Sequence, residues 1–183
     1  MVELENELKQ IQASQQGDHQ AFEALVKRYQ HMIYSLAYRM TGSHGDAEDL
    51  AQETFIQAHS HLSTFRAESR FSSWLYRLAV NQCLNWKKRT HRRNEVYDQW
   101  SKQENSVENE NESVSAAVNE ALMKLDVKQR AAIVLTVYDG LNHAEAAKAL
   151  GCSETTVSWR IFAARQKLKR HLTKTMKGIS RDK

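Results

Sequence analysis

From Phe22 onward, apolar residues recur at three-and-four spacing: Phe22, Leu25, Val26, Tyr29, Ile33, Leu36, Ala37 and Met40. That period marks one buried face of an α-helix. Asp18 stands where an N-cap belongs, and Gly42 where the helix must stop. A second stripe (Ala47, Leu50, Ala51, Phe55, Ala58, Leu62) predicts a helix starting near Asp46, whose first-turn acids suit the helix dipole. A third helix is expected over Phe71 to Arg89, burying Leu75, Leu78, Ala79 and Cys83. After a polar stretch the periodicity resumes. A helix near Val114 to Leu125 is followed by one that Asp126 caps, carrying Ile133, Val134, Val137 and Tyr138 and ending at Gly140. Asn142 to Leu150, a sharp turn at Gly151-Cys152, and Ser153 as N-cap then lead into a long last helix with the core stripe Val157, Ile161, Ala164 and Leu168. Two helices so joined, with the small residues Ala144 and Ala147 allowing a close crossing, predict a helix-turn-helix.

Composition sharpens this picture. The 183 residues include no proline, and the six glycines fall at or near expected helix ends, so an all-α chain of one domain or two small ones is expected. Apolar runs are far too short to span a bilayer, and Met1 to Lys9 is acidic and polar rather than signal-like, which points to a cytoplasmic protein with no direct membrane insertion. Cys83 and Cys152 lie apart in apolar helical settings and are expected as buried free thiols.

Charge is unevenly placed. Thr64 to Asn94 holds eight Lys or Arg against one acid, and Ser153 to the C-terminus nine against two. Between them, Glu95 to Glu120 holds seven acids and a single base, Lys102. The Asn/Glu/Ser-rich segment Lys102 to Ser115 has too little apolar surface to order itself. The expectation is therefore two small helical domains, 16–94 and 116–175, joined by a flexible acidic linker over 95–115.

Within the first domain, Asp46 to Ala58 carries four acids and no base. Such a helix repels DNA, so its free face, with Glu48, Asp49, Gln52, Glu53 and Ile56, is expected to meet a protein. Arg77, Asn81, Asn85 and Lys88 share the outer face of the third helix, with Trp74 a turn earlier. Cations fix phosphates, amides bond exposed base edges and aromatic rings stack on unpaired bases. Trp74 and Trp86 also fit an ordinary core. The charged loop Phe65 to Ser73 is placed to hold a flipped base, although a plain connector would look much the same. On the last helix, Thr155, Ser158, Trp159 and Phe162 face outward with Arg160 and Arg165 at the flanks, as a helix in the major groove requires.

Three strings carry a resemblance: Asp46-Ala-Glu-Asp-Leu-Ala-Gln-Glu-Thr-Phe-Ile-Gln-Ala58, Phe71-Ser-Ser-Trp-Leu-Tyr-Arg-Leu-Ala-Val-Asn81, and Gly151-Cys-Ser-Glu-Thr-Thr-Val157 followed by Arg160 and Ala164-Arg165. In this order and spacing the chain resembles an alternative sigma factor of bacterial RNA polymerase, of the extracytoplasmic-function (ECF) class of the sigma-70 family. The resemblance spans roughly Gln16 to Asn94 and Ala116 to Leu172. It implies a sigma region 2 helical bundle over 16–94 and a helix-turn-helix sigma region 4 over 116–175. It also implies that Asp46, Glu48, Asp49, Gln52, Glu53 and Ile56 bind the clamp helices of the polymerase's largest subunit. Phe65, Arg66, Arg70, Ser72, Trp74, Arg77, Asn81, Asn85 and Lys88 would read and melt the minus-ten element on the non-template single strand. Ser153, Thr155, Thr156, Ser158, Trp159, Arg160, Phe162 and Arg165 would read the minus-thirty-five element as duplex, while region 4 contacts the flap of the second-largest subunit. An anti-sigma factor is the further partner implied.

The resemblance implies no catalytic residue, cofactor or metal. The chain has no P-loop, GxGxxG, nucleophile elbow or HExxH; His143-Ala-Glu-Ala-Ala lacks a second histidine, and His59-Ser-His61 reads as a polar helix end. A two-domain helix-turn-helix regulator independent of polymerase would share the C-terminal half without needing the acidic helix or the strand-reading loop. An RNA-binding or antitermination protein could use the same basic-aromatic face. Where relatives have Leu-Pro at the start of region 4 this chain has Leu125-Asp126, and where they often have cations on the recognition helix it has Ser158 and Ala163, so promoter preference does not transfer from them.

Overall fold

Helix ends in this chain are set by side chains that close them. The computed structural model describes residues 2–96 and 110–179. In chain order the helices are α1 (Val2–Gln15), α2 (His19–Thr41), α3 (His44–His61), α4 (Phe71–Val96), α5 (Glu110–Met123), α6 (Val127–Ile133), α7 (His143–Leu150) and α8 (Glu154–Ile179). Asp18 Oδ1 accepts the N–H groups of Gln20 and Ala21 at 2.9 and 3.1 Å and so starts α2. Gly42 ends it with φ 75°, a left-handed conformation open to glycine at little cost. Ser43 caps α3, which starts at His44, two residues before the expected Asp46. Asn142 and Glu145 form a reciprocal capping box on α7, and Gly151, φ 59°, turns the chain into α8.

Among the described residues there is no strand, and no helix is long and apolar enough to cross a membrane. Three segments add to or depart from the expected elements. The N-terminal segment, read only as acidic and polar, forms α1. Of the segment expected as linker, 95–115, residues 95 and 96 belong to α4 and Glu110 onward to α5, while 97–109 lie outside the described residues. Val137 and Tyr138 are 55% and 42% exposed, because the five residues Val134–Tyr138 are π-helical and the wider turn rotates the stripe away from the core after Leu135.

The N-terminal bundle packs α2 on α3 through Leu25, Ile33, Leu36, Ala37 and Met40 against Ala47, Leu50, Ala51 and Ala58, with Leu75, Ala79, Val80 and Cys83 of α4 completing the core. Burial pushes the Cys83 thiol up to about 12, so it is an inert core group. Cys152 is only half-buried. Through Ile11, α1 joins the same core, and the Tyr29 hydroxyl on α2 donates to Glu7.

In the C-terminal bundle, Leu122, Ala131, Ala132, Ile133, Val134 and Leu135 close on Val157, Ile161 and Ala164 of α8. The two bundles then pack on each other, chiefly through α4 against α7 and α2 against α5. Arg130 holds this junction. Only 2% exposed, it donates from Nε to Leu122 O (2.8 Å), from Nη1 to Met40 O (2.5 Å), and from Nη2 to Met123 O (2.6 Å) and Leu125 O (3.3 Å). These acceptors belong to the C-terminal turns of α2 and α5 and the residues just beyond, where carbonyls lack helical partners and the dipole favours a cation. Burial pulls the Arg130 pKa below the usual guanidinium value. Nearby, the Arg39 guanidinium lies 4.6 Å from the centre of the Tyr138 ring, and a side chain at Gly42 would meet Met123 Sδ at 3.1 Å.

Candidate polymerase and nucleic-acid interfaces

The acidic helix α3 buries Ala47, Leu50, Ala51, Thr54 and Ala58 and turns Glu48, Asp49, Gln52 and Ile56 outward. Ile56 is 66% exposed, a large apolar side chain left in water amid acids. It borders a groove of about 640 Å³ between α2 and α3, lined also by Tyr34, Glu48, Gln52 and Phe55. Two residues expected on this face are engaged inside the protein. Asp46 Oδ1 accepts from Trp86 Nε1 at 2.9 Å, tying α3 to α4, and Glu53 lies 3.7 Å from Arg89 Nη2. Glu48, Asp49, Gln52 and Ile56 remain on the outward face, and Trp86 is half-buried against the core.

The loop before α4 has an apolar floor and a polar roof. Phe65 is 7% exposed, its ring centre 5.4 Å from those of both Phe71 and Trp74, and Phe71 is itself 3% exposed. Enclosed by these two rings, Phe65, expected among the base-reading residues, anchors the loop. The loop is also tied down by α1: Gln15 Nε2 donates to Leu62 O and Phe65 O, both at 2.9 Å. Above this floor, Arg66, Ala67, Glu68, Ser69 and Arg70 are exposed, and Ser72 and Trp74 half-buried. Ala67 has φ 55°, and a left-handed non-glycine residue costs about 1–2 kcal/mol. The tip conformation is therefore enforced by its anchors.

Along α4, Arg77, Asn81, Asn85 and Lys88 are all exposed on one side. Asn81, Asn85 and Lys88 line a groove of about 760 Å³ with Glu53 and Arg89. Arg77 lies in a second crevice, of about 430 Å³, with Arg70, Ser73 and Trp74, closed on its far side by Glu145 and Lys148 of α7. In this arrangement the helix-turn-helix stands at the edge of the loop before α4, a proximity that spacing along the sequence does not reveal.

On α8, Trp159 and Phe162 are 64% and 63% exposed, with Thr155 and Arg165 also exposed. Ser153 and Thr156 serve the cap: Thr156 N–H donates to Ser153 Oγ at 3.2 Å, and their hydroxyls pair at 2.9 Å. Ser158 Oγ donates to Glu154 O and lies 3.0 Å from His143 Nδ1. Arg160 is half-buried, with Nη1 3.4 Å from Cys152 Sγ. The outward chemistry of this helix is therefore more aromatic than cationic in its first turns.

Comparison with known proteins matches this pair of modules in order. The family model for Sigma-70 region 2 matches residues 25–94, and that for Sigma-70, region 4, matches residues 115–168. The RNA polymerase sigma-H factor of Pseudomonas aeruginosa is 31% identical over 186 residues, covering 94% of this chain and 96% of that protein. The chain belongs to the sigma-70 family, in its ECF class. The ECF RNA polymerase sigma-E factor of Escherichia coli is 35% identical over 175 residues, with 85% of this sigma factor and 88% of that one covered. Among solved structures, CnrH in complex with the cytosolic domain of CnrY superposes with a TM-score of 0.71 at 28% identity, covering 92% of this chain and 97% of that one. RpoE of Bartonella quintana shares the fold, with a TM-score of 0.72 at 23% identity over 83% of this chain and 96% of that one. The region 2 match begins inside α2, so the α1 helix that pins Phe65 lies outside it, and the region 4 match begins within α5.

Proposed function

We propose that this sigma factor binds core polymerase through the acidic-apolar face of α3, captures the melted minus-ten strand on α4 and its preceding loop, and reads the minus-thirty-five duplex with α8. The observation that carries this reading is the separation of three exposed faces of different character: acids around Ile56, cations and amides along Arg77 to Lys88, and aromatics with arginine on α8. Core binding falls to Glu48, Asp49, Gln52 and Ile56, which offer charge and an apolar anchor to the clamp helices of the largest subunit; the second-largest-subunit flap is assigned to the C-terminal bundle.

In melting, Arg66, Arg70, Arg77 and Lys88 offset phosphate charge, while Asn81 and Asn85 supply donors and acceptors to base edges. An extruded base costs a few kcal/mol to unstack, and the rigid loop over Phe65 offers it a ready-shaped seat. The half-buried Trp74 presents the remaining ring edge. Nucleotide addition belongs to the polymerase, and the sigma factor contributes no catalytic residue. It works in the cytoplasm, where polymerase and promoter are. The complex of its relative CnrH with the cytosolic domain of CnrY supports a bound protein partner for this factor, the place of the anti-sigma factor that the resemblance implies.

The decisive test is template-dependent. Arg70→Ala with Asn81→Ala is expected to abolish thymine reactivity to permanganate on a closed promoter and to recover in part on a mismatched bubble, with an unchanged melting temperature because both side chains are exposed. Normal footprints from the folded double variant would refute strand capture.

A further inference from the structure

We propose that Trp159 and Phe162 make the upstream element a thymine-methyl site, so that this factor recognises neighbouring thymines where a helix bearing arginines would recognise guanines. The inference rests on the reading of α8 as the minus-thirty-five helix and specifies what that helix recognises.

In the major groove, guanine is read by forked Arg or Lys contacts, adenine by Asn or Gln, and thymine through apolar contact with its 5-methyl group. The first two turns of α8, from Glu154 to Ile161, contain no Lys, Asn or Gln. Their one arginine, Arg160, is half-buried and directed at Cys152. The Ser158 hydroxyl is engaged with Glu154 O and His143, and Thr156 is turned into the cap. Prominent on the outward side are the rings of Trp159 and Phe162, each more than three-fifths exposed.

Such rings are costly in water and gain by covering methyl groups. Three residues apart on a helix, they lie about 4.5 Å from each other along its axis, close to the roughly 3.4 Å step between base pairs. They therefore meet adjacent pairs. Charge complementarity names the occupant: beyond the rings the same helix carries Arg165, Lys167, Lys169 and Arg170, cations suited to the phosphates flanking a groove.

The test uses holoenzyme assembled from the full chain and core polymerase. Holoenzyme is selected on duplexes with a randomised 50-base-pair window, and each thymine in the recovered upstream element is then replaced by deoxyuridine, which lacks only the 5-methyl group. At two neighbouring positions, removal of the methyl is expected to weaken binding about fourfold each, the value of burying one methyl-sized group. Trp159→Ala is expected to lose this discrimination while melting like the native chain. Equal binding of thymine and deoxyuridine duplexes, or discrimination surviving in both Trp159→Ala and Phe162→Ala, overturns the proposal and leaves the aromatic pair to a protein partner. Failure of holoenzyme to enrich any promoter would instead overturn the assignment of α8 on which the proposal stands.

Discussion

Replacing Arg130 tests whether one buried cation fastens the two bundles together. The side chain is 2% exposed and spends its nitrogens on four carbonyls and the Met123 sulfur. Arg130→Met keeps most of the volume and removes every one of these bonds. Hydrogen bonds from a charged donor contribute roughly 1.5–3 kcal/mol each, and a buried carbonyl left without a partner costs about 1–3 kcal/mol. The Arg130 guanidinium also loses hydration on folding, which lowers its pKa and offsets part of the gain. Leu122 O keeps the Leu125 N–H at 3.1 Å, while Met40 O is left buried without its Arg130 donor, and the net loss is roughly 3–5 kcal/mol, a large share of the 5–15 kcal/mol typical of folded proteins. For a chain of this size each kcal/mol moves the midpoint by about 2–4 °C. Arg130→Met is therefore expected to melt roughly 6–20 °C below the native chain by circular dichroism, and Arg130→Lys, with one ammonium for acceptors on two helices, to recover little. A fall of under about 2 °C for Arg130→Met would show that the carbonyls find other partners and that the junction does not depend on this residue.

Asp139, beside Arg39 at the same junction, has its pKa raised to about 7 by burial, Arg39 opposing the shift only in part. Its unfolded value is about 3.9, so the folded state holds the proton more tightly; this stability is complete below about pH 4 and lost as pH rises through about 7. The native chain should lose on the order of 4 kcal/mol relative to Asp139→Asn across that window, and parallel stability-pH curves for the two would contradict it. Asp49→Arg should leave the melting temperature unchanged and weaken association with core polymerase by about 2–5 kcal/mol if it breaks a desolvated charge pair; unaltered retention in a pull-down would remove α3 from the interface.

What the residues disclose before folding is largely local. Asp18, Gly42, Asn142, Gly151 and Ser153 act on backbone groups within four positions, so the ends of α2, α7 and α8 follow from short strings. The buried stripe of α3 follows equally well, since Ala47, Leu50, Ala51 and Ala58 recur at helical spacing. Features that depend on distant partners are hidden. Phe65 in a charged loop resembles a base reader until Phe71 and Trp74 close around it. Asp46 resembles its acidic neighbours until Trp86, forty residues on, donates to it. Arg130, within Val127-Lys-Gln-Arg130, resembles a solvated helix cation, and only the arrival of Met40 from the other bundle supplies its acceptors. Helix α1 carries too sparse a stripe to announce itself, since among its described side chains Ile11 is the one apolar core residue and Leu8 stays 37% exposed. The π-helical turn at Val134–Tyr138 defeats a fixed 3.6-residue period by construction.

The central claim is that this chain gives core polymerase its choice of start site. It is tested most directly by mapping the 5′ ends of transcripts made by core polymerase on genomic fragments, with and without the purified chain. The account predicts a discrete set of starts that appears only with the chain, shares an upstream and a minus-ten element, and disappears with Arg70→Ala and Asn81→Ala on closed templates. The same start profile with and without the chain would contradict it.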